Sequence, residues 1–324
     1  MSSERVPNRQ GPCCRVSWII VGLLSVTLFG CGPAQAGGPT RVFPRSPAHR
    51  PANRLTAGHA ANGVPVDAKE FAAGACIAFA PTVGDNHHTV FIDAGHGGID
   101  PGAQGVTEMG KTIYEADETL PVELDTMALL RAQGYRVVVS RTGDTNVARL
   151  TATDKSDGSL TAEGVHADVA ARDICANLAR ATILLGIYFD AGASPGNAGS
   201  ITAYDTVRPF AAGNHRLATL LQADVLGSMN KHGWQIPDDG AVPDTTLGGP
   251  PLTTASASYG HLLLLGPADS SWFTTPSQMP GALIEPLFIT DPFEGTIADR
   301  GAGQRAIADG MAEAVEQYFA GDTR

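Results

Sequence analysis

The sequence predicts an α/β fold, a single domain in which a mostly parallel sheet is flanked by helices. From residue 87 onward, short apolar segments typical of strands alternate with stretches that repeat apolar residues at helical spacing. The segment Thr182–Phe189 is almost entirely apolar, as expected of a central parallel strand. With 324 residues, 43% of them hydrophobic, the chain is long enough to bury one large core.

Local patterns place the individual elements. The strand Thr89–Asp93 leads into a glycine-rich turn, and the next strand follows Gly134. Between them we expect a helix that begins near Leu120, or kinks there, because Pro121 interrupts the hydrogen bonding of a longer helix. Further helices are expected at 168–180, 217–229 and 307–318, strands at 259–265 and 282–288, and a long loop over the site at 235–254.

The first 36 residues are predicted to be a signal peptide or a lipoprotein signal. Arginines precede an apolar run at 16–29, which is shorter than a typical transmembrane span. The segment Leu28–Cys31 resembles a lipobox and predicts a lipid anchor at Cys31, whereas Ala34–Ala36 fits ordinary signal peptidase. We favour the lipobox. Either alternative predicts export to the periplasm or attachment to the envelope.

Composition divides the rest of the chain and excludes one class of partner. Residues 37–86 are rich in Pro, Arg, Ala and Gly, which predicts a flexible tether and lead-in, and residues 87–321 form the folded domain. The formal net charge of −11 argues against a nucleic-acid partner.

Two cysteines, Cys76 and Cys175, remain in the chain after processing at Cys31. A disulfide between them and two separate buried thiols are equally open alternatives.

The most specific motif is Asp93–Gly105, in which His96 lies between glycines directly after a strand. Neutral imidazole is a common zinc ligand, and the glycines allow a tight turn with room for a metal ion. Taken alone, such a histidine is more typical of an ordinary loop. The whole motif, however, resembles the opening motif of the zinc-dependent N-acetylmuramoyl-L-alanine amidases. This resemblance extends over residues 87–320 and implies that His96 is the first ligand of a zinc ion (Zn2+).

The resemblance also implies a second ligand at Glu115, shortly before the first long helix, with Glu118 and Glu123 as competitors. Without the resemblance, the preferred interpretation of Glu115 is a solvated carboxylate at a helix N-terminus, where the helix dipole favours it. Near the C-terminus, Glu285 lies within the apolar segment 280–292, which resembles the final strand of the family. A buried carboxylate requires a compensating partner, and the resemblance implies that Glu285 acts on zinc-bound water.

The third family ligand, a histidine, is replaced here by Tyr188 in the segment Gly186–Gly192. Three substitutes remain open: Asp190, predicted on the same face of an extended strand, Tyr188 itself as a phenolate, and a distant histidine such as His261 or His88. A catalytic zinc normally has three protein ligands and a water, so this departure weakens the expected site.

The predicted function is therefore metal-dependent hydrolysis of the amide between N-acetylmuramic acid and L-alanine in peptidoglycan, by an amidase-like catalytic domain at 87–321. The alternative suggested by Tyr188 is a catalytically impaired pseudo-amidase that binds peptidoglycan or a cell-wall enzyme partner without cutting. Metal content and the release of stem peptides distinguish the two.

Overall fold

The computed structural model describes residues 63–247 and 254–321. The predicted signal at 1–36, including Cys31, and the first part of the expected tether lie outside the described residues. Within the described ranges, no helix is both long and apolar enough to cross a bilayer.

Twelve strands and six α-helices form in these ranges. The strands are β1 (Val64–Pro65), β2 (Ala75–Phe79), β3 (Thr89–Ala94), β4 (Gln104–Val106), β5 (Thr112–Tyr114), β6 (Arg136–Arg141), β7 (Lys155–Ser156), β8 (Ser159–Leu160), β9 (Ile183–Ile187), β10 (Ser200–Tyr204), β11 (Asp238–Pro243) and β12 (Gly281–Glu285). The helices are α1 (Glu115–Ala132), α2 (Ala162–Leu178), α3 (Ala211–Asn230), α4 (Thr254–Tyr259), α5 (Pro292–Ala298) and α6 (Gly301–Ala320).

Eight of the strands form one sheet, in the order β1-β2-β6-β3-β9-β12-β10-β11. Strands β6, β3, β9 and β12 are parallel to one another, whereas β10 is antiparallel to β12 and parallel to β11. The predicted α/β class with a mostly parallel sheet is therefore confirmed. The carboxyl ends of β3, β9 and β12 lie together at one edge, here called the upper edge. Those of β10 and β11 lie at the opposite, lower edge.

Side chains that alternate along the strands supply a core on each face of the sheet. Val90 and Ile92 of β3 belong to the core shared with α1, α3 and α6, whereas Phe91 belongs to the core shared with α2. All three are fully buried. Burying an aliphatic or aromatic side chain of this size contributes about 1.5–3 kcal/mol, so the two layers hold the central strands firmly.

The sheet extends upstream of residue 87, where the folded domain was expected to begin. β2 pairs antiparallel with β6, with Ile77 opposite Val139, and four of its five residues are buried. β1 pairs in turn with β2. The part of the lead-in from residue 63 onward therefore belongs to the folded domain, because its apolar segment covers an otherwise open side of β6.

The first two helices begin earlier than their sequence patterns indicate. α1 starts at Glu115 rather than near Leu120 and continues through Pro121. The backbone N–H groups of Glu115 and Ala116 donate to the carbonyl groups of Ala103 and Pro101, which satisfies the first turn. α2 starts at Ala162, with the Thr161 hydroxyl accepting from the Gly164 N–H as an N-cap.

Two other expectations are wrong. Residues 259–265 contain no strand, because α4 ends at Tyr259 and turns follow. The segment 235–254, expected to be a loop, contains β11, which is hydrogen-bonded to β10 at the end of the sheet. β11 has the sequence DDGAVP and lacks the alternation of a half-buried strand, so pairing with β10 rather than local pattern determines it.

Cys76 and Cys175 form a disulfide that joins β2 to α2. Both residues are fully buried in the core on the α2 face. The bridge links residues 99 positions apart. A cross-link of that span restricts the unfolded chain and stabilises the fold by up to about 4.7 kcal/mol in the chain-entropy account.

Replacing both cysteines, as Cys76→Ser with Cys175→Ser, is expected to lower the free energy of unfolding by about 2–5 kcal/mol. Guanidinium denaturation followed by circular dichroism measures this change. Reductant should shift the wild-type midpoint toward that of the double variant and leave the variant where it is. Equal midpoints for the two oxidised proteins would show that the bridge contributes nothing.

Candidate active site

His96 lies at the upper edge, in the turn that follows β3. Its φ angle is 61°, and Gly97 and Gly98 follow with φ angles of 119° and 65°. A non-glycine residue in the left-handed region costs about 1–3 kcal/mol and persists only where the surroundings impose it. The strain at His96 therefore indicates that the position of the imidazole is imposed by the fold.

Two buried arginines hold this turn. Arg172 donates to the carbonyl oxygens of Ala94 (2.8 Å) and His96 (2.9 Å), and Arg141 donates to those of Ala94 (3.2 Å) and Gly95 (3.2 Å). The side chain of Arg172 also forms an ion pair with Asp93. The backbone carbonyl groups at the start of this turn therefore accept hydrogen bonds from two buried guanidinium groups.

The imidazole of His96 is positioned between two carboxylates. Its Nδ1 lies 2.8 Å from Oδ2 of Asp100, in hydrogen-bond geometry. Its Nε2 lies 3.1 Å from Oε2 of Glu115, but this contact lacks hydrogen-bond geometry and leaves Nε2 without a hydrogen bond to any described residue. Burial lowers the pKa of His96, but the charges of Asp100 and Glu115 outweigh it and raise that pKa to about 10.

Glycine at position 102 permits this close arrangement. A Cβ atom there would lie 2.7 Å from the His96 ring and 2.8 Å from the Glu115 carboxylate. The φ angle of Gly102 is also in the left-handed region, at 67°. Glu115 is further fixed by backbone N–H groups, since Ala103 donates to its Oε2 (3.0 Å) and Phe189 to its Oε1 (2.9 Å).

The other two glutamates considered as ligands have different partners. Glu118 accepts a hydrogen bond from Gln304 of α6 (3.0 Å). Glu123 accepts from the backbone N–H groups of Ala94 (3.2 Å) and Ser140 (2.8 Å) and ties β3 to β6. Of the three, Glu115 is the one that the structure brings to His96.

Glu285 is the last residue of β12 and is fully buried at the same edge. Ile284 pairs with Ile187, which pairs with Ala94, so the ends of β12, β9 and β3 lie side by side. Burial, followed by repulsion from Asp190 and Glu115, raises the pKa of Glu285 well above its usual range. The structure therefore groups His96, Glu115 and Glu285 at one edge of the sheet.

Tyr188 follows β9 and belongs to the core on the α2 face. Its hydroxyl donates to Oδ2 of Asp93 (3.2 Å), and its ring lies edge-on to the ring of His96, with centroids 5.4 Å apart. Burial, followed by the charge of Asp93, holds the pKa of Tyr188 well above its usual value. These contacts favour a neutral phenol over a metal-bound phenolate.

The two distant histidines lie away from this edge. His88 precedes β3 and stacks on Phe319, with ring centroids 3.9 Å apart. His261 lies at the lower edge, against Asp244 and Asp205, so neither histidine is a third ligand beside His96. Asp190 is buried beside Glu285, but within the described ranges it does not bring an oxygen within 4.8 Å of both His96 and Glu115.

Asp205, Asp244 and His261 themselves form a possible metal-binding triad, because they bring three ligand atoms within 4.8 Å of one another. Among the residues that the structure describes, they are the one such set. They lie at the lower edge of the sheet, at the opposite ends of the strands from Glu285.

Two residues that support the site, Asp100 and Arg172, were not predicted from the sequence. Asp100 lies within the motif around His96, four residues later, a separation that allows a carboxylate to reach back to the ring. Arg172 is a charged residue in a helix where neighbouring positions are buried. A buried charge requires partners, which is the signal that could have identified it.

The comparisons decide the family. A sequence profile of the family described as N-acetylmuramoyl-L-alanine amidase matches residues 90–317. The chain belongs to this family of peptidoglycan hydrolases. No curated protein sequence matches the chain significantly.

Solved structures of amidases share the fold. N-acetylmuramoyl-L-alanine amidase AmiC2 of Nostoc punctiforme is 20% identical, with 73% of this chain and 99% of that chain covered and a TM-score of 0.51. The CwlD amidase from Clostridioides difficile, solved in complex with the GerS lipoprotein, is 19% identical, with 73% and 100% covered and a TM-score of 0.55. At these identities the similarity establishes the fold alone.

Glu118→Gln is expected to stabilise the protein at alkaline pH. Burial, followed by repulsion from Asp299, raises the pKa of Glu118 to about 8 from its ordinary value of 4.5. The folded protein then binds this proton more tightly than the unfolded chain, so Glu118 destabilises the fold as pH rises from 4.5 through about 8. The neutral amide removes that dependence and still offers an oxygen to Gln304.

The measurement is the difference in melting temperature between variant and wild type across this pH range. The difference should be small at pH 5 and grow toward pH 9. There it should correspond to a gain on the order of 1 kcal/mol or more in the free energy of unfolding. A difference that is constant with pH would contradict the assignment of the raised pKa to Glu118.

Proposed function

We propose that this chain hydrolyses the amide between N-acetylmuramic acid and L-alanine in peptidoglycan with a zinc ion held by His96 and Glu115. The observation that carries the proposal is the 3.1 Å approach of His96 Nε2 to Glu115 Oε2 without a hydrogen bond. Ligand atoms of a tetrahedral zinc ion lie about 3.3 Å apart, so the two side chains fit neighbouring coordination positions.

The surroundings of His96 also suit a zinc ligand. A ligating histidine usually donates its second ring nitrogen to a carboxylate, which fixes the ring and raises its basicity. The contact between Nδ1 of His96 and Asp100 has this form. When bound, zinc would polarise the substrate carbonyl group and lower the pKa of a coordinated water molecule.

Glu285 is proposed as the residue that moves the proton. It accepts a proton from the attacking water molecule and delivers it to the leaving amine of L-alanine. Its location at the end of β12, at the same edge of the sheet as Glu115, supports this role.

The variant Glu285→Gln tests this role. The amide cannot accept the proton, so release of stem peptides from purified sacculi should fall by about 100-fold or more. Zinc content and melting temperature should remain close to wild type. Glu118→Gln is the matched control, because it changes another buried glutamate of the same region whose carboxylate is directed to α6.

Removal of the metal tests whether activity depends on zinc. Stem-peptide release should stop when a chelator is added and return when zinc is added. Wild-type protein that releases no stem peptides even with added zinc would support the pseudo-amidase alternative. That alternative is not favoured, since the family match and the fold are those of hydrolases.

The variant Tyr188→His tests whether position 188 faces the ion. Tyr188→His restores an imidazole where the family has one, and zinc affinity should rise by at least about tenfold if that imidazole reaches the ion. Tyr188→Phe is the control, because it removes the hydroxyl bonded to Asp93 without adding a ligand. Equal affinities for all three proteins, measured by competition with a zinc chelator, would show that position 188 does not face the ion.

We also propose that the chain is exported and acts in the periplasm or attached to the envelope. The disulfide between Cys76 and Cys175 supports an oxidising compartment. Mass spectrometry of the mature protein would identify its first residue and modification: a lipidated Cys31 supports the lipoprotein, and an unmodified start at residue 37 supports ordinary cleavage. An uncleaved chain would contradict export.

A further inference from the structure

The triad at the lower edge joins three separate segments. Asp205 follows β10 directly, Asp244 follows β11, and His261 comes shortly after α4. Tyr204 pairs with Pro243, so the two aspartates emerge from neighbouring strand ends. Ile201 pairs with Glu285, and Asp205 is four residues further along, which is about 13 Å of extended strand. The triad is therefore separate from the proposed active site.

Three ligand atoms of the triad converge. Nδ1 of His261 lies 3.2 Å from Oδ2 of Asp205 and 3.0 Å from Oδ2 of Asp244. Bonds of about 2.0–2.1 Å to a tetrahedral zinc ion would place such atoms about 3.3 Å apart. The observed separations are close to that spacing.

Both carboxylates are oriented by the backbone. Oδ1 of Asp205 accepts from the N–H groups of Val207 (2.8 Å) and Arg208 (2.7 Å), which turns Oδ2 toward His261. Oδ2 of Asp244 accepts from the N–H group of Leu262 (3.1 Å). Hydrogen bonds of this kind preorganise ligands, because a carboxylate fixed by its second partner loses little freedom when it binds an ion.

A protonated histidine alone satisfies the triad incompletely. Nδ1 can offer at most one proton, and the hydrogen bonds that it can form are to Asp244. Oδ2 of Asp205 remains without a hydrogen bond, although Asp205 is fully buried. A buried acceptor without a hydrogen bond costs about 1–3 kcal/mol in stability. A single ligand in contact with all three atoms would remove this cost.

The charges of the three side chains also favour a bound cation. If all three groups were charged, two buried carboxylates and one imidazolium would leave a net charge of −1. The nearby guanidinium of Arg208 donates to the backbone carbonyl groups of Leu265, Gly266 and Ser277. A divalent ion with two carboxylates and a neutral imidazole is electrically neutral, which makes its burial less costly.

We propose that Asp205, Asp244 and His261 bind a second divalent transition-metal ion, with Zn2+ the best match for one imidazole and two carboxylates. The side chain of His261 is 16% exposed, which leaves water access to a fourth position. The ion would tie the segment after α4 to the ends of β10 and β11. This site is independent of His96 and stabilises the fold instead of acting on substrate.

Zinc stoichiometry in the full mature chain tests the proposal. Metal-stripped protein is dialysed against zinc, and bound zinc per chain is measured by elemental analysis. His96→Ala should retain one equivalent, and His96→Ala with His261→Ala should retain none. His87→Ala on the His96→Ala background is the matched control, because the His87 side chain is 89% exposed and distant in sequence from the triad.

The design separates this site from the proposed active site. Failure of zinc to bind at His96 leaves the expected equivalent at His261 unchanged. No zinc bound by His96→Ala, or an equal amount bound after His261→Ala is added, would overturn the proposal.

A second variant covers the case in which His261→Ala does not fold. Asp205→Asn retains Oδ1 for the N–H groups of Val207 and Arg208 and replaces the ligand oxygen with an amide. On the His96→Ala background it should lose the zinc equivalent while its circular dichroism stays native. Zinc should raise the melting temperature of His96→Ala but not that of the Asp205→Asn double variant. A zinc-dependent rise in both would also overturn the proposal.

Discussion

The turn after β3 depends on two guanidinium groups that are buried in the protein. Arg141 and Arg172 are both about fully excluded from solvent, and together they bond three consecutive carbonyl groups, those of Ala94, Gly95 and His96. Desolvating two cations is costly, and these carbonyls, together with Asp93, supply the compensation. The left-handed conformation of His96 is stable only within this frame, so the placement of the imidazole depends on it.

The side chain of Tyr188 contacts the turn that carries His96. Its ring packs against Gly95, where a Cβ atom would lie 2.5 Å from it, and its hydroxyl donates to Asp93. Asp93 in turn is paired with Arg172. The tyrosine thus joins the network that holds the turn, while Glu115, with both oxygens bonded to backbone N–H groups, keeps its position.

The strand order separates two clusters with ligand chemistry. β3, β9 and β12 run in one direction and collect His96, Glu115 and Glu285 at the upper edge. β10 and β11 run in the other direction, so the aspartates that follow them, together with His261, gather at the lower edge. A reversal of strand direction at one end of the sheet is the physical reason that this domain has polar clusters at both edges.

By itself, the sequence determined the fold class and the locations of His96 and Glu285, because a glycine-rich turn after an apolar strand and a carboxylate within an apolar strand are local signals. Contacts between distant segments decided the rest. Glu115, Glu118 and Glu123 lie on one helix, and only packing against β6 and α6 determines which one faces His96. Pairing with β10 creates β11, and the disulfide and the lower-edge triad join residues far apart in the chain, so no local pattern could reveal them.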